Sequence, residues 1–305
     1  MSDKKITLVE VGPRDGLQSE PEVLPTAAKV TFIEKAIDAG IRRLEVASFV
    51  HPKRVPQMAD AEELIERLPD RDDVSYIGLI MNERGLDRAL ATKIGEIGMV
   101  IVSTDTYNRK NQGVDTAESI RVWRSIAGRA RQHGLSANVM ISSAFGCPYE
   151  GEVSAERIVE LAKLAIEAEP AELGIADSIG VAVPNQVADV LGRVRDVIGD
   201  IPLRCHFHNT RNTGLANAQA AIEAGVRFLD ASIGGIGGCP FAPAATGNIP
   251  TDDLLYLLDR SGIETGVSLP KIIGVSQWLE DQLGRGVPAM LPKAGTFPRG
   301  DDRAA

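Results

Sequence analysis

Short β-rich runs alternate with longer helix-patterned segments from one end of this chain to the other, and this rhythm limits the fold more than any other feature. Strand patterns read in "ITLVEV", "RRLEVAS", "SYIGLIM", "GMVIVST", "SANVMIS", "AELGIAD", "PLRCHFH" and "RFLDASI", eight in all. A helix pattern follows each one, among them "TAAKVTFIEKAIDAG", "AESIRVWRSIAGRARQHG" and "SAERIVELAKLAIEAE". Ser154 and Thr251 stand where N-caps belong, and "AG" or "HG" follows the last turn of several helices. Eight βα units in about 260 residues is the size of a (β/α)8 barrel; a doubly wound open sheet shares the alternation, but the count of eight favours the barrel. "SLPKIIGVSQWLEDQLG" predicts an extra C-terminal helix, and about 297–305 read as a polar tail. No linker divides the chain, so residues 1–305 are expected to form one domain.

At 305 residues, 44% hydrophobic and 25% charged, the composition is that of an ordinary globular protein. A net charge of -9 without any cluster of Lys and Arg argues against nucleic-acid or anionic-membrane partners, and an anionic small substrate would need a local basic pocket. Three cysteines far apart, Cys147, Cys205 and Cys239, read as free thiols in a reducing compartment rather than a disulfide framework. The N-terminus runs into a strand without an apolar signal core, and no run approaches the roughly 18 apolar residues of a membrane span. A cytoplasmic location is expected.

In a barrel, strand side chains alternate between helix layer and interior, and chemistry collects at the C-terminal ends of the strands. In "PLRCHFHN" the apolar parity is Leu203, Cys205 and Phe207, which turns His206 and His208 together toward the barrel axis. The same argument turns Glu10 and Glu45 inward, while Asp177 closes its strand and Asp15 lies just past the first one. These six residues are thereby directed toward one mouth. A His-x-His strand alone is as readily polar filling as a metal site. With carboxylates arriving beside it, a mixed N/O site for a catalytic divalent ion becomes the better reading, and Mg, Mn or Zn each fit. His133 beside Gly134 reads as a helix end, and His51 as a loop residue without an evident partner.

Residues 234–248, "GGIGGCPFAPAATGN", place four glycines in five positions directly before Cys239, a backbone free to adopt positive φ and to swing as a lid. Cys239 is either an acid/base group brought over substrate or an inert thiol. The glycine spacing is not that of a dinucleotide-binding turn. Arg14, between Pro13 and Asp15 at a strand end, is placed to stabilise an oxyanion, or is a surface arginine in a turn.

The segments "VEVGPRDGLQSE", "LEVASFVHPKRVPQMAD", "SAFGCPYEG", "ADSIGVAVP", "HFHN", "GGIGGCPFAPAATGNIPTDDL" and "PAMLPKAG" together resemble the 3-hydroxy-3-methylglutaryl-CoA lyase family, among the metal-dependent TIM-barrel lyases. The resemblance runs from about residue 6 to about residue 296 and keeps the order of every motif. It implies metal ligands at Asp15, His206, His208 and Asn248, Arg14 on the thioester oxygen, and Cys239 as an acid/base group on a mobile loop. It places Glu45 and Asp177 in the polar shell about metal and substrate, and Glu10 as a support for Arg14 or the ligands. Asp252 stands where the family more often has Glu, which leaves its role open. Another departure follows the second histidine: the best-known members continue with Asp, Thr and Tyr, whereas this chain reads Asn209, Thr210, Arg211 and Asn212. That change either suits a different acid tail or faces outward without catalytic meaning.

The expected activity is divalent-metal-dependent cleavage of 3-hydroxy-3-methylglutaryl-CoA to acetyl-CoA and acetoacetate, with Mg or Mn as the metal. The alternatives are a lyase or condensing enzyme for another 3-hydroxyacyl-CoA on the same scaffold, or a catalytically silent CoA-ester-binding protein. The resemblance also implies a homo-oligomer, a dimer.

Overall fold

The computed structural model describes residues 5–238 and 247–298. Eight parallel strands close into a barrel: β1 (Thr7–Glu10), β2 (Arg43–Ser48), β3 (Ser75–Ile80), β4 (Glu96–Val102), β5 (Ser136–Ser142), β8 (Glu172–Asp177), β9 (Leu203–Phe207) and β10 (Phe228–Ala231). A two-residue hairpin, β6 (Gly146–Cys147) with β7 (Gly151–Glu152), interrupts the numbering above the barrel wall. Closure is made by β1 against β10, with Val9 opposite Asp230 and Glu10 opposite Ala231.

Helices α1 (Thr26–Asp38), α2 (Ala61–Arg67), α3 (Glu83–Leu90), α5 (Thr116–Gln132), α6 (Ala155–Ile166), α7 (Pro184–Ile198), α8 (Gly214–Glu223) and α9 (Thr251–Arg260) follow the strands as the alternation predicts. In α6, Ile158, Leu161, Ala162 and Ala165 recur at helical spacing and are buried, and the Ser154 hydroxyl accepts from the Arg157 amide as its N-cap. The indole of Trp123 in α5 is fully buried and donates to the Ala165 carbonyl at 2.9 Å, tying the two helices. The predicted extra helix is α10 (Leu269–Leu283), whose Trp278 ring lies 6.2 Å from Phe32 of α1. A four-residue α11 (Leu291–Ala294) follows.

One helix has no counterpart in the sequence reading. Residues Asp105–Gln112, "DTYNRKNQ", form α4, ended by Gly113 in the left-handed region. It lacks an apolar stripe. Buried Asn108 holds it instead, its carbonyl accepting from the Val102 amide while its NH2 donates to the Val114 carbonyl and the Ser119 hydroxyl.

The parity argument holds on β9. Leu203, Cys205 and Phe207 belong to the apolar layer between strands and helices, while Arg204, His206 and His208 share the other face. The lower barrel is filled by charge. Arg43 pairs with Glu96 at 2.7 Å and Glu172 at 2.8 Å, and Glu96 also accepts from Ser75 and Asn138. No helix among the described residues is long and apolar enough to cross a membrane.

Candidate metal centre and active site

The turn after β1 builds one wall of the mouth. Residues Gly12–Gly16, "GPRDG", wind into a single π-turn, a device that recurs at functional sites and here projects Arg14 and Asp15 from adjacent positions. A side chain at either end of the turn would force a neighbour to shift. A Cβ on Gly12 would fall 2.6 Å from a Glu10 carboxylate oxygen, and one on Gly16 2.7 Å from the Ile236 side chain.

Asp15, His206 and His208 each bring one ligand atom into a group whose members lie within 4.8 Å of one another. The imidazole centroids of the two histidines are 5.1 Å apart. Asn248 closes the group, its NH2 donating to Asp15 Oδ2 at 2.8 Å and to the Ile236 carbonyl at 3.2 Å. A backbone bridge between His208 and Asn248 fixes their separation.

These residues suit a divalent ion. His208 Nδ1 and Asn248 Oδ1 are buried and accept no hydrogen bond from the described residues, which is costly unless something electropositive meets them. Burial, with His206 alongside, pushes the His208 imidazole down to about 4, so the ring is neutral at physiological pH as a ligand must be. Asp15 shows the opposite balance. Burial disfavours its charge, but Arg14, both histidines and Asn248 outweigh that and hold it at about 2. One carboxylate, two imidazoles and an amide oxygen form a mixed donor set that accepts Mg, Mn or Zn.

Arg14 is 9% exposed, and its guanidinium lies between Asp15 Oδ1, at 2.6 Å, and Glu45 Oε1. Burial disfavours its charge, yet these carboxylates overcome that and raise its pKa further, so the cation is permanent.

Two residues that the sequence reading passed over complete the arrangement. Asp230 of β10 accepts from His206 Nδ1 at 3.0 Å and, through its other oxygen, from Arg204. With Nδ1 donating, His206 keeps Nε2 as its free lone pair, the usual relation of a carboxylate to a metal-ligating histidine. Strand parity could have found both, since Arg204 shares a face with His206, and Asp230 is the one acid in "RFLDASI".

Glu10 and Asp177 both engage backbone amides at the mouth. Glu10 does not reach Arg14: its Oε1 accepts from the Gly12 and Ile233 amides, both at 2.9 Å, and its Oε2 accepts from the Thr251 hydroxyl. It is fully buried beneath the mouth and joins the Arg14–Asp15 turn to the foot of the glycine-rich segment. Asp177 accepts from two loop amides, those of Val181 and Ala182. The same loop accepts Arg211, whose Nη1 donates to the Ile179 and Gly180 carbonyls. Asn209 accepts from the Gly214 amide at 3.1 Å at the start of α8.

Asp252, whose role the sequence left open, is fully buried and accepts from the Gly234 amide at 2.8 Å and the Ser276 hydroxyl at 2.6 Å. Cys239 lies outside the described residues. The chain leading to it does not: Gly238 accepts from the Ser19 hydroxyl, and Gly237 packs on Gly16 and Asn248. Neither His51 nor His133 approaches the site. Each hydrogen-bonds a backbone group close to it in sequence, the Lys53 amide and the Arg129 carbonyl respectively.

Known proteins resemble this chain over nearly its full length. A (R)-citramalyl-CoA lyase of Chloroflexus aurantiacus is 43% identical over 300 residues, 95% of each chain. The hydroxymethylglutaryl-CoA lyase YngG of Bacillus subtilis is 38% identical over 94% of this chain and 96% of its own. In structure, an HMG-CoA lyase of Acinetobacter baumannii, solved with coenzyme A and 3-methylmalate, superposes with a TM-score of 0.93 at 37% identity over 97% of both chains. The HMGL-like family model matches residues 5–279. With fold and sequence in agreement over nearly its full length, the chain belongs to the HMGL-like family of carbon–carbon lyases.

Proposed function

We propose that this lyase uses a divalent ion, Mg or Mn, held by Asp15, His206, His208 and Asn248, to cleave a 3-hydroxy-3-methylacyl-CoA that carries a terminal carboxylate. The carrying observation is the mixed donor group of Asp15, His206 and His208 beside the buried Arg14. The C2–C3 bond breaks as the tertiary hydroxyl loses its proton to Cys239 acting as base, which later returns it to C2. The electron pair of that bond passes to the thioester as an enolate, and a proton added at C2 yields acetyl-CoA. A divalent ion held by Asp15, His206, His208 and Asn248 would supply Lewis acidity that lowers the pKa of the substrate hydroxyl. Arg14 meets the charge that develops on the thioester oxygen, and Asp15 and Glu45 keep its guanidinium from turning away. Cys239 delivers the proton to C2, and Asp177 fixes the loop beside which the acyl chain enters.

Two substrates satisfy this chemistry. In citramalyl-CoA the carboxylate sits on the carbinol carbon and the second product is pyruvate. In 3-hydroxy-3-methylglutaryl-CoA it is one methylene further, and the second product is acetoacetate. The greater similarity to the citramalyl-CoA lyase puts the shorter acid first. The test is acetyl-CoA release from both thioesters after chelation and again after Mn add-back, with pyruvate and acetoacetate assayed separately. Metal-dependent release with higher kcat/KM for (R)-citramalyl-CoA is expected. A preference for 3-hydroxy-3-methylglutaryl-CoA reverses the order, and no release from either overturns the activity. The protein acts as a cytoplasmic homodimer in this reading, which buried, unpaired Cys147 and Cys205 support as to compartment and which a solution mass would check as to assembly.

A further inference from the structure

Arg204 lies on β9 two residues before His206, on the same interior face, with its side chain 5% exposed. Two carboxylates share it, each in the same manner. Asp230 places Oδ1 on Arg204 and Oδ2 on His206. Glu45 places Oε2 on Arg204 at 3.5 Å and Oε1 on Arg14. The remaining edge of the guanidinium faces Glu172 at 3.7 Å, and Glu172 continues to Arg43 in the barrel floor. One planar cation therefore stands behind both halves of the site.

We infer that Arg204 is a positioning residue that sets His206 through Asp230 and Arg14 through Glu45. A carboxylate has a fixed plane. When one oxygen is anchored on a guanidinium fork, the direction of the other follows, and with it the imidazole or guanidinium that the other oxygen holds. A lysine would supply the charge without the fork. A neutral residue would leave Asp230 and Glu45 buried and free to swing onto His206 and Arg14 in other geometries.

This inference rests on the metal reading given above, so its test has one arm that needs no metal. The chain has four histidines, and 15N-histidine spectra of metal-free protein resolve the Nδ1–H that His206 donates to Asp230. Arg204→Met is expected to shift or broaden that signal, weaken Mn binding about 10- to 100-fold, and lower kcat by a larger factor than it raises KM. Arg204→Lys should fall between, and Asp230→Asn should weaken Mn binding to the same degree, the double variant adding little to either single one. Glu96→Gln, which breaks a buried pair in the barrel floor, should lower the melting temperature and leave Mn affinity unchanged. If Arg204→Met does not fold, Arg204→Lys and Asp230→Asn carry the same comparisons. An unaltered His206 signal together with unaltered Mn affinity in the folded variants overturns the inference. Absence of Mn binding in the parent protein overturns the metal reading instead, and the His206 signal then decides the role of Arg204 alone.

Discussion

Glu10 and Asp252 accept hydrogen bonds from consecutive backbone amides, those of Ile233 and Gly234, at the foot of the glycine-rich segment. Neither has a cation as a hydrogen-bonding partner, and burial raises the first to about 8 and the second to about 6. For Glu10 the unfolded chain loses its proton near 4.5, while the folded protein keeps it to about 8. The unfolded state thus binds fewer protons across that window, and stability falls as pH rises through it, by about 1.4 kcal/mol per pH unit for one group. Asp252 adds the same trend between 3.8 and about 6. Glu10→Gln, which stays neutral and keeps an acceptor for both amides, should flatten the decline. Urea unfolding at pH 5, 6.5 and 8 checks this, and parallel curves for parent and variant would refute it.

His208→Ala removes a proposed ligand that holds no hydrogen bond to a described residue through Nδ1. The metal-free fold should lose little more than packing. Added Mn should raise the melting temperature of the parent protein and leave that of the variant nearly unchanged. Turnover should fall by more than about 100-fold, since even groups behind a metal ligand are worth 10- to 100-fold.

Arg14→Lys keeps a positive charge but cannot span Asp15 and Glu45 together. A loss of about 100- to 1000-fold in kcat is expected, the size of losing an oxyanion donor, with a much smaller change in KM. A defect confined to KM would move Arg14 from transition-state stabilisation to ground-state binding.

Cys239→Ala should leave Mn binding intact while slowing turnover by about 100-fold or more, as loss of a general acid does. Calorimetric Mn titration beside a steady-state assay separates the two. Equal turnover in variant and parent would remove Cys239 from the chemistry.

Asn209→Asp restores the acid of the best-known relatives. Because Asn209 already accepts from the Gly214 amide, Asp can make the same bond, and stability should change by less than about 0.5 kcal/mol. Arg211 is exposed and braced on two carbonyls, so this segment shapes the mouth without a free cation of its own at Nη1. The ratio of kcat/KM for citramalyl-CoA over 3-hydroxy-3-methylglutaryl-CoA should shift by less than about threefold, within RT of unchanged. A tenfold shift would make Asn209 a specificity residue.

The barrel could be read ahead of the structure because its signals are local. Alternation of strand and helix patterns, caps such as Ser154 and the apolar parity of Leu203, Cys205 and Phe207 each depend on a few neighbouring residues. The convergence of Asp15, His206 and His208 could be read because parity and motif coincide at His206 and His208. What escaped has long range in sequence. Asp230 matters through Arg204 and His206, Glu10 through Ile233, and Asp252 through Ser276, contacts made by pairing of β10 with β9, by closure of the barrel and by packing of α10 on α9. Helix α4 escaped for a different reason, since Asn108 holds it by polar bonds that leave no hydrophobic period.

Gly237 and Gly247 touch back to back: a Cβ on Gly247 would fall 1.1 Å from the Gly237 carbonyl oxygen. The nine residues between them, 238–246, thus leave and rejoin the described barrel at one point. Such a stem spans no distance across the scaffold, so insertions, deletions or exchanges within 239–246 place no strain on β10 or α9. The stem thereby ties both ends of that segment to Asn248 and to the turn that carries Asp15.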